Sequence, residues 1–217
     1  MVELGFMVGE IAYFIMGVIS VVTLIKHWKM NSNRMLIAVS IYVCAVLIRS
    51  VIDITIYAFD LNIDITVAGG LTIGMILGFI LFTIQLEFLL YLKNLPKLYT
   101  LPLFSSFYIA LGRVLVDTAI PFILYAMIVS YGSAYFLIKD GRKSRNGLAI
   151  GMGLFFLIYG FGQTFAMIEV LFVILRIVAM VALLLGTRGF YEKYVFVNVE
   201  EEQKIMGTWI AKLVVKE

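Results

Sequence analysis

The chain has 217 residues, of which 63% are hydrophobic and only 14% are charged, and its mean hydropathy is +1.05. Soluble globular domains carry about 25% charged residues, so this composition excludes an ordinary soluble domain and predicts an integral membrane protein. A hydrocarbon core about 30 Å thick needs roughly 20 apolar residues for each helical crossing. The chain therefore has room for about six to eight crossings and for no separate catalytic domain.

The sequence contains one cysteine and one histidine. Cys44 lies within an apolar run, which excludes a disulfide within the chain and a cysteine-ligated metal cluster. His27 lies in a polar stretch, and a single histidine excludes a bis-histidine haem site. We therefore expect no metal site and no cofactor in this chain.

Apolar runs separated by polar clusters predict an all-α, polytopic membrane bundle of seven transmembrane helices. The predicted spans are residues 5–25, 35–59, 67–92, 98–116, 118–138, 147–163 and 166–187. The last two spans form an apolar stretch of about 40 residues, which is too long for one crossing at about 1.5 Å per residue. A break is predicted at residues 160–163, and the bundle as a whole is predicted to be one domain, residues 1–190.

Lysine and arginine in the connections predict the orientation of the bundle. The basic residues of the connections follow spans one, three, five and seven: Lys26, Lys29, Arg34, Lys93, Lys97, Lys139, Arg142, Lys143, Arg145, Arg188 and Lys193. The other connections contain none. By the positive-inside rule, the amino terminus is expected outside and the carboxyl terminus in the cytoplasm, in a multi-pass protein of the cell membrane.

Residues 191–217 are predicted to form a short cytoplasmic amphipathic tail. Its apolar residues recur at helical spacing: Ile205, Met206, Trp209, Ile210, Leu213 and Val214. The pattern is typical of a helix that lies on the bilayer surface. Docking of a cytoplasmic protein partner is the alternative interpretation.

Ionisable side chains inside the spans are the candidates for function, because placing one at the bilayer centre costs about 2.5–3.5 kcal/mol on insertion scales. The predicted ligand- or ion-binding residues come from several spans: Glu10, Arg49, Asp53, Arg113, Asp117, Glu169 and Arg176. Counted from the span ends, they lie in the outer half of the bundle or near its middle. They predict a polar pocket in the outer half that is open to the outside.

A structural role is the competing interpretation of these charges. Arg49 and Asp53 are four residues apart and can pair on one helix face, and so can Arg113 and Asp117. Such pairs would fasten helices together without binding a ligand. Arg176 has no acidic residue three or four positions away in its own span, so its partner must come from elsewhere. Candidates are Glu10, Asp53 and an anionic ligand group.

Glycines at four-residue spacing predict close helix contacts. Gly70, Gly74 and Gly78 form one row, and Gly147 and Gly151 form another. Packing within the bundle is the first interpretation, and a homodimer formed through the first row is the alternative.

No motif of an enzyme is present: the sequence has no GxSxG, no HExxH, no Walker loop and no CxxC. We therefore predict a non-enzymatic protein with no nucleic-acid partner. In topology alone the plan resembles that of microbial rhodopsins and seven-helix receptors. Retinal would require a lysine in the last span, where the chain has Arg176, so no chromophore is expected.

Three functions follow as hypotheses. The first is a receptor-like or sensor-like protein whose outer pocket binds a small ligand or ion. The second is a transporter or an ion- or proton-conducting protein, in which Glu10, Asp53 and Glu169 form a relay and Glu87 forms its inner end. The third is an accessory subunit of a larger membrane complex.

Overall fold

A computed structural model describes residues 2–31, 34–59, 66–68, 71–116, 120–164 and 169–196, and these residues are almost entirely helical. The α-helices among them are α1 (Val2–Asn31), α2 (Arg34–Ala58), α3 (Ile73–Leu92), α4 (Leu101–Val116), α5 (Ile120–Ser144), α6 (Gly147–Thr164), α7 (Glu169–Thr187) and α8 (Phe190–Tyr194). A 3₁₀ turn, Pro96–Leu98, precedes α4. The predicted all-helical bundle is confirmed in this coarse form.

A short hairpin replaces the beginning of the predicted third span. Strands β1 (Thr66–Ala68) and β2 (Leu71–Thr72) pair antiparallel. Helix α3 begins only at Ile73, because the Thr72 hydroxyl accepts a hydrogen bond from the Met75 amide at 3.3 Å and caps the helix. The prediction that the span begins at residue 67 was therefore wrong by about two turns of helix.

Six helices of the described chain, namely α1 to α5 and α7, are long and apolar enough to cross a membrane. Helix α6 is also apolar, but its qualifying segment, Gly147–Gly162, is shorter. By length and composition, the chain is thus built as a multi-pass membrane protein.

Helices that follow one another in the chain run in opposite directions. Glu10 contacts Ser50, and Gly17, later in α1, contacts Leu47, earlier in α2. Helix α3 is likewise antiparallel to α2 but parallel to α5, with α4 returning between them. The Lys- and Arg-rich connections therefore lie at one end of the bundle, here called the basic end. The opposite end, where α3, α5 and α7 begin, is called the distal end.

Six helices form a ring in the order α1, α2, α3, α5, α6 and α7, and α1 closes it by packing on α7. Helix α4 lies outside this ring against α3 and α5, with only Pro102 and Ser106 buried. Ser106 is held by the hydroxyls of Thr83 at 2.6 Å and Tyr125 at 2.9 Å. These two hydroxyl contacts, together with the packing of Ile109 and Ala110 on side chains of α3 and α5, hold the peripheral helix against the ring.

Close backbone packing joins α6 to its neighbours. A Cβ at Gly151 would lie 2.9 Å from Gly186 Cα and 3.0 Å from the Ala182 carbonyl oxygen in α7. A Cβ at Gly153 would lie 3.1 Å from the Ala134 carbonyl oxygen in α5. The predicted close contact at Gly151 is confirmed.

We expect Gly151→Ala to lower the free energy of unfolding by about 1–3 kcal/mol, the usual cost of overpacking a tight contact. The new methyl group would meet backbone atoms of α7 that cannot rotate away. The measurement is unfolding of the purified chain in detergent. The matched control is Gly112→Ala in α4, where a Cβ meets nothing within 4 Å. Equal stability of the two variants would contradict the close packing.

Helix α8 folds against the basic end of the bundle. The Gly147 amide donates to Glu192 at 2.7 Å, which satisfies an amide at the start of α6. The Tyr191 hydroxyl donates to the Ala182 carbonyl at 3.2 Å. The apolar residues of the predicted amphipathic tail, from Ile205 to Val214, lie outside the described residues.

Candidate ligand-binding site

Two arginines and two carboxylates meet inside the bundle. Arg176 is 1% exposed, Glu10 is 0% exposed and Asp53 is 6% exposed. Nη1 of Arg176 donates to Glu10 at 2.5 Å and to Asp53 at 3.2 Å. Nε of Arg49 donates to the other oxygen of Asp53 at 2.9 Å. These four residues, here called the charge network, carry formal charges that sum to zero.

Uncharged groups complete the hydrogen bonding of the charge network. The Ser50 hydroxyl donates to the second oxygen of Glu10 at 2.8 Å. Nη1 of Arg49 donates to the Gly74 carbonyl at 3.1 Å. The guanidinium carbon of Arg176 lies 4.6 Å from the centre of the Tyr13 ring, a cation–π distance. The network therefore links α1, α2, α3 and α7.

Local sequence explains how these groups meet. Arg49 and Asp53 are one helical turn apart on α2, so their side chains share a face. Glu10 and Arg176 come from parallel helices, and Gly9 lets these helices approach, since a Cβ there would overlap the Val173 side chain. Of the three candidate partners of Arg176, namely Glu10, Asp53 and an anionic ligand group, the structure shows contacts to both carboxylates.

A cavity of about 490 Å³ adjoins the charge network in the distal half of the bundle. Helices α2, α3, α5, α6 and α7 supply its walls. Its charged lining residues are Arg49, Asp53 and Arg176, and its uncharged polar ones are Tyr42, Thr72, Ser130 and Tyr159. The remaining wall is apolar and includes Phe82, Phe122, Met127 and Phe172. The cavity is thus apolar with one charged end.

Two glycines of the predicted row lie in α3 and border this cavity. Gly74 and Gly78 both line it, and Gly74 offers its carbonyl to Arg49. A Cβ at Gly78 would lie 3.0 Å from the Phe122 ring. These glycines were expected to bring helix backbones together, but they face side chains and the cavity instead. Gly70 lies outside the described residues, and dimerisation through this row stays a prediction.

Other predicted site residues are not part of this arrangement. Arg113 lies in the last turn of α4, outside the ring, and is not among the described residues that line the cavity. Asp117 lies outside the described residues, and with it the predicted pair with Arg113. Glu169 begins α7, but its side chain is not among those described.

Two contacts of the charge network were missed at the sequence level. Ser50 and Tyr13 both touch the charge network, and each is three residues from one of its carboxylates, a spacing that could have identified them. Tyr125 hydrogen-bonds Ser106 of α4 and does not line the cavity. The lining tyrosines are Tyr42 and Tyr159.

A buried amide lies beyond the cavity toward the basic end. Gln85 is 1% exposed; it accepts a hydrogen bond from the Tyr42 hydroxyl at 3.5 Å and donates to the Val129 carbonyl at 3.4 Å. Glu87, which the transport hypothesis placed at the inner end of a path, has an exposed side chain. The buried polar residue of α3 in this region is therefore Gln85.

One edge of the Arg176 guanidinium is unused. Its Nε and Nη2 atoms are buried and have no hydrogen-bond partner among the described residues. All the hydrogen bonds of this guanidinium to the charge network come from Nη1. An arginine edge with two donors matches the two oxygens of a carboxylate or phosphate.

Comparisons with known proteins found no family model, no curated protein and no solved structure that matches this chain.

Proposed function

We propose that this chain is a non-enzymatic, receptor-like or sensor-like membrane protein whose distal cavity binds a small ligand. The observation that carries this proposal is the cavity itself. Its volume of about 490 Å³ falls within the range of about 300–1,000 Å³ typical of small-molecule pockets. Such pockets combine apolar walls with a few polar groups that converge on one place, as the charge network does here.

A seven-crossing topology with the amino terminus outside is part of this proposal. Helix α6 has 18 residues and is therefore about 27 Å long, close to the thickness of a hydrocarbon core. It lies antiparallel to both α5 and α7. Helices α1 and α7 are parallel, since Gly9 contacts Val173 and Gly17 contacts Met180. These directions support a seventh crossing, and the positive-inside rule supports a cytoplasmic basic end.

We expect a cysteine at residue 144 to be reached by a membrane-impermeant thiol reagent only after the cell membrane is opened. The variant is Ser144→Cys in a Cys44→Ser background, which removes the native thiol. The counterpart is Asn62→Cys, in the connection between α2 and β1, which should react in intact cells. Labelling at residue 144 without labelling at residue 62 in intact cells would reverse the orientation.

The charge network offers a way to transmit binding. It joins α1 and α7 through Glu10 and Arg176, and α2 through Asp53. A ligand that competes for Arg176 would loosen these links and allow the helices to shift. Such coupling requires that the ligand bind one arrangement of the bundle more tightly than the other.

Blocking the cavity is expected to abolish ligand binding. Ala126 lines the cavity from α5, so Ala126→Phe would fill part of it. Leu124→Phe is the matched control, because Leu124 is 53% exposed and is not one of the lining residues. Thermal stabilisation by a library of small amphiphilic molecules is measured for both variants. Ligands that stabilise both equally, or no stabilising ligand at all, would contradict this function.

A transporter is the second candidate, favoured by the buried polar groups beyond the cavity. Ser130 lines the cavity, and Gln85 and Ser133 are each 1% exposed. Ser133 Oγ has no hydrogen-bond partner among the described residues. These groups could continue a path toward the basic end. The test is ion or proton flux into proteoliposomes. Flux that is present in the parent chain and abolished by Gln85→Leu would favour transport over sensing.

A further inference from the structure

We propose that the ligand is a monovalent organic acid with an apolar body, bound through its carboxylate by Arg176, and that each ligand brings one proton onto Glu10. This inference rests on the proposed function, since it requires that the cavity bind a small molecule. It adds the chemical class of that molecule and the proton that accompanies it.

The unused edge of Arg176 identifies the recognised group. The side chain is 1% exposed and lines the cavity, yet Nε and Nη2 have no partner among the described residues. A buried cationic donor without an acceptor is unfavourable. Both atoms are covered by neighbouring side chains, so the guanidinium must turn toward the cavity before a ligand can supply the acceptor. Two parallel N–H donors on one edge match the two oxygens of a carboxylate.

The walls identify the rest of the ligand. Aromatic rings from α5 and α7, Phe122 and Phe172, line the cavity together with Met127. The centre of the Phe172 ring lies 5.3 Å from the Arg176 guanidinium carbon, so an apolar wall begins directly beside the charged end. A molecule with a carboxylate at one end and a hydrocarbon or aromatic body fits this distribution.

Charge balance predicts that a proton is taken up together with the ligand. The titratable groups near Glu10 and the cavity come from four helices: Glu10 and Tyr13 in α1, Tyr42, Arg49 and Asp53 in α2, Tyr159 in α6, and Arg176 in α7. The described lining residues of α3 and α5 carry no charge. With the charge network neutral, an added carboxylate would leave one negative charge in a largely apolar surrounding, which is unfavourable.

Geometry indicates which carboxylate accepts the proton. Asp53 contacts two guanidinium groups, those of Arg49 and Arg176. Glu10 contacts one guanidinium and the Ser50 hydroxyl. Glu10 is therefore the easier of the two to neutralise once the ligand carboxylate shares Arg176. The proton comes from solvent, no covalent bond to carbon changes, and the ionic link between α1 and α7 is lost.

The test is calorimetry on the full chain in lipid nanodiscs near neutral pH, in two buffers with different heats of ionisation. The probes are hexanoate, 4-phenylbutanoate and palmitate, each compared with its primary amide. The first two represent soluble acids and the third a lipid-derived acid. At least one acid is expected to bind about tenfold or more tightly than its amide, with uptake of one proton. Glu10→Gln should abolish that uptake while binding persists.

Acids and amides that bind equally and are both excluded by Ala126→Phe would overturn the carboxylate while leaving the cavity as a ligand site. If the acids bind more tightly than the amides but no proton is taken up, the coupling of acid binding to protonation of Glu10 would be overturned. The same conclusion would follow if Glu10→Gln has normal thermal stability and still takes up a proton. Absence of binding by every probe would overturn this ligand class, whereas failure of the wider amphiphile library would overturn the proposed function as well.

Discussion

Replacing Arg176 by leucine is expected to lower the free energy of unfolding by about 3–5 kcal/mol, because it leaves two buried carboxylates without their shared cation. Glu10 would lose its only ion-pair partner within the charge network, and Asp53 would retain only Arg49. Leucine is apolar and of suitable size, so the loss would come from the unpaired charges rather than from a cavity. The measurement is the free energy of unfolding of the purified variant and of the parent chain in detergent.

Two variants separate charge from packing at this position. Arg176→Lys keeps the cation but loses the fork geometry, so it should retain part of the stability. Combining Arg176→Leu with Glu10→Gln removes one of the stranded negative charges and should recover part of the loss. Arg142→Leu at the basic end controls for loss of an arginine outside the network. A stability of Arg176→Leu equal to that of the parent chain would place this arginine outside any structural role.

Sequence reasoning could predict the depth of the charged residues but not their direction around the helix axis. Counting from the span ends placed Glu10, Asp53 and Arg176 in one region, and the structure brings them into contact. Arg113 was expected in the same pocket, but it lies on α4, outside the ring. In a bilayer, lipid-facing and core-facing positions are both apolar, so hydrophobic periodicity gives little information on which face points inward.

The same difficulty applies to small residues. The glycine row of α3 and the glycines of α6 look alike as sequence patterns, and both indicate room for a close approach. In α6, Gly151 meets the backbone of α7, whereas in α3, Gly74 and Gly78 face side chains and the cavity. The sequence pattern shows only where a Cβ is missing. Whether backbone, a side chain or a cavity lies beside that glycine depends on the order of the helices in the ring.

Asp53→Asn is expected to tighten the binding of an organic acid by about tenfold, which corresponds to about 1.4 kcal/mol. Asparagine preserves the shape of the side chain but removes one negative charge. The charge network would then hold Arg49 and Arg176 against Glu10 alone, a net charge of +1 by the formal charges of these three residues. A bound carboxylate would restore neutrality by itself, so proton uptake should fall toward zero. Calorimetry in the same pair of buffers measures both quantities.

The matched control is Asp140→Asn, because Asp140 pairs with Lys93 at the basic end, away from the cavity. It should leave acid binding and proton uptake unchanged. A relay of protons or cations predicts instead that Asp53→Asn lowers flux through the protein. If the network only fastens helices together, Asp53→Asn should lower the unfolding free energy while leaving acid affinity and flux as they are in the parent chain. That outcome would show that Arg49, Asp53 and Arg176 do not bind a ligand, since the affinity for a ligand held by these charges must change when one of them is lost.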